Sequence, residues 1–253
     1  KVALHHNGIT TIFSGSNPFN DAYVAAQSGD TIYLPGGNIP FPTVLDKGLV
    51  IFGAGHFPDS TLATYRTVIN GSFNIHENAD NLHIEGLDIT GAITFGTNHQ
   101  VDNVVIKRCR IGSIVYNGTG ATPCINNEIV ENVIIGSINF QNLRSSIIAN
   151  CILQDRISNG AEIGVSNNIF LYNPNSLSYS INNLDNSYIS NNIFLRSGPY
   201  SDYIHSGCDL STFSYNIFSN NPGSGNNILE NNFLTVDVTT LFVNQTGNLL
   251  RIR

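Results

Sequence analysis

Eight short stretches of this chain can be laid on one another: NLHIEGLDI, NVVIKRCRI, EIVENVIIG, SIIANCILQ, GVSNNIFLY, YISNNIFLR, TFSYNIFSN and LENNFLTV. Aligned on their middles, they give a column of Leu87, Cys109, Val133, Cys151, Asn168, Asn192, Asn216 and Asn232. Two residues on, a second column reads Ile89, Ile111, Ile135, Leu153, Phe170, Phe194, Phe218 and Leu234. A unit of about 20 residues that carries strand and turn signals but no helical period cannot bury a core by itself; stacked on its neighbours it can. Apolar and polar residues alternate within each block, as in strands with one face inward. The expected fold class is therefore all-β, a solenoid. Its core is a stack of Ile and Phe, and Asn168, Asn192 and Asn216 form an inward amide ladder that bonds coil to coil.

Residues 1–29 read as a separate opening: a strand at Gly8–Phe13, then a capping helix near Asn17–Gln27. Asn17 suits the N-cap, Pro18 the first helical position, and Phe19, Ala22, Tyr23 and Ala26 form one apolar face. Such a helix covers the end of the first coil, which otherwise exposes core and strand edges. Residues 30–253 read as the coils, with regular repeats from Thr67, and the whole as one domain. The Lys at position 1 reads as a mature or trimmed terminus.

Charged residues make up only 11% of the chain, and 36 asparagines and 23 glycines take their place, a composition suited to many tight turns. The net charge of −7 argues against nucleic acid and anionic membrane as partners, and no run of about 20 apolar residues marks a membrane span. Asn70, Asn117 and Asn244 open N-glycosylation triplets, a pattern that chance alone supplies in an Asn-rich chain. Cys109 and Cys151 share one inward column two coils apart, about 9–10 Å, which is too far for a disulfide. They read as buried thiols, whereas Cys124 and Cys208 fall in loops and their pairing stays open. No Cys or His spacing matches a zinc site.

The segments FNDAYVAAQSGDTIYLPGG, KGLVIFGAG and NLHIEGLDITG resemble the opening of right-handed parallel β-helix proteins of the pectin-lyase-like superfamily, and more closely the secreted β-helix proteins common in Bacteroidota. The resemblance covers nearly the whole chain. It implies a right-handed parallel β-helix, a secreted or cell-surface location, and attachment through a C-terminal sorting segment. LFVNQTG is similar to the start of the closing part of such domains, so the C-terminal cap reads as short or truncated. Lyases of this superfamily set an Arg or Lys base beside acidic calcium ligands. No position here matches that motif, so no cofactor is expected, with calcium entering only under a lyase reading.

Three groups of side chains carry chemistry. The first is a charged pair of columns, Glu85–Lys107–Glu131 and Asp88–Arg110. It reads as a structural ion-pair ladder, with Lys107 or Arg108 as a catalytic base in the alternative. The second, Arg144, Asp155 and Arg156, reads as a solvated turn. The third is a pair of loops on neighbouring coils, YNPNSLSYS and RSGPYSDYIHSG. They bring Tyr172, Tyr179, Arg196, Tyr200, Asp202 and Tyr203 toward one patch, where rings can cover pyranose faces and polar groups can bond hydroxyls. His205 is the candidate base if this patch is catalytic. The function expected is carbohydrate binding or adhesion without catalysis, with a polysaccharide as partner. Polysaccharide lyase or glycoside hydrolase is the first alternative and a structural stalk the second.

Overall fold

The computed structural model describes residues 1–56, 65–96, 99–118, 122–171, 179–195, 203–205, 207–219, 222–223 and 226–234. It is a parallel β-solenoid of about eight turns with one helix at its N-terminal end. One ladder of parallel strands runs its length. It starts at Thr31–Tyr33 and Val50–Phe52 and passes through His83–Glu85, Val105–Lys107 and Glu128–Val130. It then continues through Leu143–Ala149, Ile157–Ser166, Tyr188–Ser190 and Asp209–Ser214 to Asn226–Glu230. A second ladder begins at Gly37–Asn38 and Thr67–Ile69 and ends at Ile217–Phe218 and Phe233–Leu234. A third leads from Val44–Leu45 and Phe73–Ile75 to Ile181–Asp185.

Two corners explain why these residues turn where they do. At one, Arg108, Glu131, Asn150, Asn167, Asn191, Tyr215 and Asn231 have φ between 50° and 58°. In that left-handed conformation Asn is the best tolerated residue with a side chain. The next residue then points inward: Cys109, Asn132, Cys151, Asn168, Asn192 and Asn216 are all at most 2% exposed. Each accepts a backbone N–H from the coil before. The Asn192 Oδ1 takes Asn168 N at 2.9 Å, the Asn216 Oδ1 takes Asn192 N at 2.9 Å, and the Cys151 Sγ takes Asn132 N at 3.4 Å. The expected amide ladder is present, and the thiols fill the same role in it as the amides.

The other corner repeats the device with other residues. Asn103, Asn126, Ser145, Glu162, Asn186 and Leu210 are left-handed there. Val104 and Ile163 follow two of them with apolar side chains; the polar side chains that follow the others accept in the same way, for example Asn127 Oδ1 from Val104 N at 2.7 Å, Ser187 Oγ from Ile163 N at 3.1 Å, and Ser211 Oγ from Ser187 N at 3.0 Å.

The core stack is as expected from Ile89 to Phe218 except at one coil, while Leu234 keeps the register but is 53% exposed. Ile134, not Ile135, pairs with Ile111 and Leu153, and Asn132, not Val133, occupies the ladder. A slip of one residue exchanges inward and outward faces. Asn132 and Ile134 are accordingly buried while Val133 and Ile135 are partly exposed. Phe170, Phe194 and Phe218 stack face to face, with centroids 4.4 and 4.7 Å apart.

All four cysteines are free. Cys124 and Cys208 prove to be buried rather than set in open loops, each accepting a backbone N–H, from Val101 and Leu184. Burial pushes the Cys109 and Cys151 thiols up to about 12 and Cys124 up to about 11, so thiolate is scarce at neutral pH.

The N-terminal end is an antiparallel hairpin rather than one strand. Val2–His6 pairs with Ile9–Phe13 across Asn7 and Gly8, both at positive φ, the dipeptide and backbone that a two-residue hairpin favours. Val2–His6 also pairs antiparallel with Thr31–Tyr33, which ties the hairpin to the first coil. The helix, Pro18–Ala25, buries Phe19, Ala22 and Tyr23. Asn17 precedes it without a side-chain cap bond; at the far end Lys47 Nζ donates to the carbonyls of Tyr23 at 2.7 Å and Ala26 at 2.8 Å. A cation on those carbonyls complements the helix dipole.

His6 is part of this anchor. Its Nδ1 lies 2.7 Å from the Asp30 Oδ1, and Asn7 Nδ2 donates to its Nε2, which leaves Nδ1 as the proton-bearing nitrogen of the neutral ring. Burial alone raises the Asp30 carboxyl, but the Gln27 N–H and His6 outweigh it and hold the group below the usual carboxylate range. A carboxylate depressed in the folded state adds stability above its unfolded pKa and loses it as pH falls through the folded value. The thermal midpoint of the parent should therefore fall on acidification from about pH 5 to pH 3. In Asp30→Asn it should start lower at neutral pH and converge on the parent; parallel curves would remove Asp30 from the acid response.

Candidate functional site

The residues at the ends of the two stretches that the sequence singles out lie side by side on consecutive coils. Ile181 N donates to the Tyr203 carbonyl at 3.0 Å and His205 N to the Ile181 carbonyl at 2.9 Å. This backbone zipper sets the Tyr179 ring edge-on to the His205 ring, with centroids 4.7 Å apart at 71°. Tyr179 is partly exposed. Tyr172, Arg196, Tyr200 and Asp202 lie outside the described residues.

Tyr203 is corrected by its position. It is 1% exposed, its ring is packed against both Phe194 and Phe218, and its hydroxyl bonds Ser219. The return segment departs from strand alternation here, since Tyr203 and Ile204 are both buried while His205 is partly exposed. Its ring is core and cannot lie against a sugar.

From the Tyr179–His205 pair a polar strip continues over the neighbouring coils. Asn183 Nδ2 donates to the Asn159 Oδ1 at 3.1 Å, and Asn159 Nδ2 to the Asn139 Oδ1 at 3.1 Å. This second amide ladder is on the outside: Asn159 and Asn183 are exposed, with φ of 61° and 50°. Beside it lies a groove of about 250 Å3, lined by Gln141, Arg144, Asn159, Gly160, Asn183 and Asp185. Arg144 and Asp185 both register with Ala161 and so face each other across one intervening coil. Arg144 thus belongs to this groove rather than to a bare turn. The strip was readable in part, since Asn159–Gly160 and Asn182–Asn183 sit at like places in successive coils. It was missed because neither lies in an NNIF block.

No protein-family model, curated protein or solved structure matches this chain.

The charged columns are wired differently from the expected ladder. Lys107 registers with Glu85 and with Val130, and Glu131 sits at the left-handed corner opposite Arg108. Arg108 donates through Nε to Glu131 at 2.7 Å and through Nη1 to Glu85 at 3.0 Å, and Lys107 Nζ lies 3.5 Å from Glu131. The hydrogen bond from Arg108 draws the Glu131 carboxyl below its usual range, and in return Glu131 raises Arg108, which disfavours its release of a proton. Asp88, 3% exposed at its side chain, accepts from Arg66 at 2.8 Å and Arg110 at 3.0 Å and is not joined to Lys107 or Arg108. At the other candidate base, His205 Nδ1 already accepts the Gly207 N–H at 2.9 Å, which assigns the proton of the neutral ring to Nε2.

Proposed function

We propose that this protein is a glycan-binding or adhesive β-helix that works without catalysis, and that its ligand lies along the flank formed by Asn139, Asn159, Asn183 and the Tyr179–His205 pair. The observation that carries the reading is the exposed amide ladder, which runs along the solenoid axis at the spacing of coils, about 4.8 Å. Each amide spends one donor or acceptor on its neighbour and keeps others for hydroxyls. The repeat is close to the rise of one monosaccharide in an extended chain, so successive sugars meet like groups. Arg144 and Asp185 supply a donor fork and an acceptor at the groove, and Tyr179 supplies an aromatic edge.

The same reading places the protein outside the cell or on its surface, as a relative of the pectin-lyase-like superfamily similar to the secreted β-helix proteins of Bacteroidota. It needs no cofactor. The engagement of Arg108, Lys107 and His205 Nδ1 favours binding over proton abstraction.

A glycan array read for both binding and cleavage, with calcium and with chelator, tests it. Binding should be equal in both conditions and no chain ends should be released; calcium-dependent cleavage would establish the lyase alternative. In the Asn159→Gly/Asn183→Gly variant, glycine keeps the positive φ and removes the amides. Its affinity should fall about tenfold with little change in thermal midpoint. Unchanged affinity would move the site off this flank.

A further inference from the structure

Each coil of the longest ladder places two outward side chains between its two left-handed corners. Over the N-terminal coils charge recurs at these positions and at the corner after them, at Glu85, Lys107, Arg108, Glu128 and Glu131, with His83, Val105 and Val130 between. The next four coils differ. The residues that face away from the core there are Ile147, Gly164, Tyr188 and Thr212 in one column and Ala149, Ser166, Ser190 and Ser214 in the other, Ser190 and Ser214 being buried on that face. Their corner residues are Asn150, Asn167, Asn191 and Tyr215. None of these is charged, on a chain of net charge −7. Charge returns at Glu230; Glu162 stands at the opposite corner, and Asp185 and Asp209 stand just beyond it.

Two residues on this face stand out in columns whose other left-handed residues are polar or glycine. The corner of Tyr215 is Asn at positions 150, 167, 191 and 231 and charged at Arg108 and Glu131, yet Tyr215 holds φ 56° and is 55% exposed. The opposite corner is Asn at 81, 103, 126 and 186, Ser at 145 and Glu at 162, yet Leu210 holds φ 52° at 65% exposure. Left-handed backbone is unfavourable for a bulky side chain, and an exposed ring or isobutyl group gains little from burial. Both departures fall on one coil, and folding explains neither. Between them lies Tyr188, 54% exposed, with Ser214 Oγ donating to its hydroxyl at 3.2 Å, which fixes the ring across the next coil. On the other side of Tyr188, the intervening coil carries Gly164, where a Cβ would only just touch Ile147, at 3.8 Å, so no side chain stands between Tyr188 and Ile147.

We propose that this face is a second binding platform and that its occupant is an uncharged, hydroxyl-rich polysaccharide. Fixed, exposed rings suit the apolar faces of pyranoses. The exposed amides of Asn150, Asn167 and Asn191 suit their hydroxyls, and the acidic border repels polyanions. The proposal rests on the glycan-binding reading but not on the flank, and it adds the charge class of the ligand.

Native gel electrophoresis through hydroxyethylcellulose, galactomannan or polygalacturonate tests it, with the parent, Tyr188→Ser/Tyr215→Asn, Tyr188→Phe and Asn159→Gly/Asn183→Gly compared. At least one neutral polymer should retard the parent. The Tyr188→Ser/Tyr215→Asn variant should bind that polymer at least about tenfold more weakly while its thermal midpoint holds or rises, because Asn suits position 215 better than Tyr. Tyr188→Phe keeps the ring and should retain most of the retardation. Full retardation of the double variant overturns the platform, as does polygalacturonate retardation that depends on Tyr188 and Tyr215. So does a parent dimer, seen by light scattering, that the double variant dissolves; the face would then join two copies of the chain. A parent retarded by no neutral polymer also overturns the platform, while array binding lost in the Asn159→Gly/Asn183→Gly variant would leave the glycan reading standing.

Discussion

Replacing Asn192 by Leu should destabilise the protein by about 4 kcal/mol, two or more buried polar groups being left short of a partner at roughly 1–3 kcal/mol each. Asn192 is fully buried. Its Oδ1 accepts from both the backbone N and the Nδ2 of Asn168, at 2.9 and 3.0 Å, and its Nδ2 donates to the Val165 carbonyl and the Asn216 Oδ1, at 2.9 and 3.0 Å. Leucine matches the size and supplies none of these bonds. The Asn168 N–H loses its partner outright, and the Asn168 Nδ2 and the Val165 carbonyl each lose a bond, while Asn216 Oδ1 keeps the Asn192 backbone N–H. Asn192→Cys should cost less, since Cys109 and Cys151 already accept a backbone N–H in this column. For a chain of this size the Leu variant should melt about 8–16 °C lower. Equal midpoints for parent, Cys and Leu variants would show that the ladder adds nothing to stability.

That ladder was legible because its residues repeat as a word. In NNIF the first Asn takes the left-handed corner, the second turns inward, and Phe stacks two positions on. Where the word dissolves, the reading slipped. Glu131–Asn132 fills the corner and ladder positions that Arg108–Cys109 fills, but aligning the apolar run of VII moved the register by one. The corner-and-inward rule, a solvated left-handed residue followed by Asn, Ser or Cys, would have corrected it. The same rule governs the second corner, where Asn126–Asn127, Ser145–Ser146, Asn186–Ser187 and Leu210–Ser211 share a geometry but no letter. Side-chain direction decided the candidate site as well. Tyr203 and His205 are two apart in an irregular return segment, so strand alternation would have put both rings on one face, and only the packing of Tyr203 on Phe194 and Phe218 shows that it joins the core. The uncharged platform was hidden for another reason: its residues lie about a coil apart in sequence and become neighbours only once the true register is known.

Gly112→Ala should cost about 3 kcal/mol, at the upper end for overpacking a well-packed site, although it adds one methyl group on a partly exposed strand. A β-bulge is the cause. Ile89 pairs with Ile111 and Ala92 with Ser113, so Thr90 and Gly91 together oppose Gly112 alone. The extra residue pushes backbone toward Gly112, and a Cβ there would lie 2.5 Å from the Gly91 carbonyl oxygen and 2.7 Å from that of Thr90. Neither oxygen belongs to a flexible side chain that can swing away. On the other side the Gly112 carbonyl accepts the Gly136 N–H at 2.5 Å, so the strand cannot retreat without loosening that bond. Gly164→Ala is the matched control: its Cβ would find no atom within 3.8 Å, and the loss of glycine's freedom in the unfolded chain favours the folded one. Thermal unfolding of the two variants should therefore diverge, with Gly112→Ala about 6–12 °C below the parent and Gly164→Ala at or slightly above it. If Gly112→Ala melts with the parent, the coils at this corner can part enough to admit a methyl group, and the bulge does not fix their spacing.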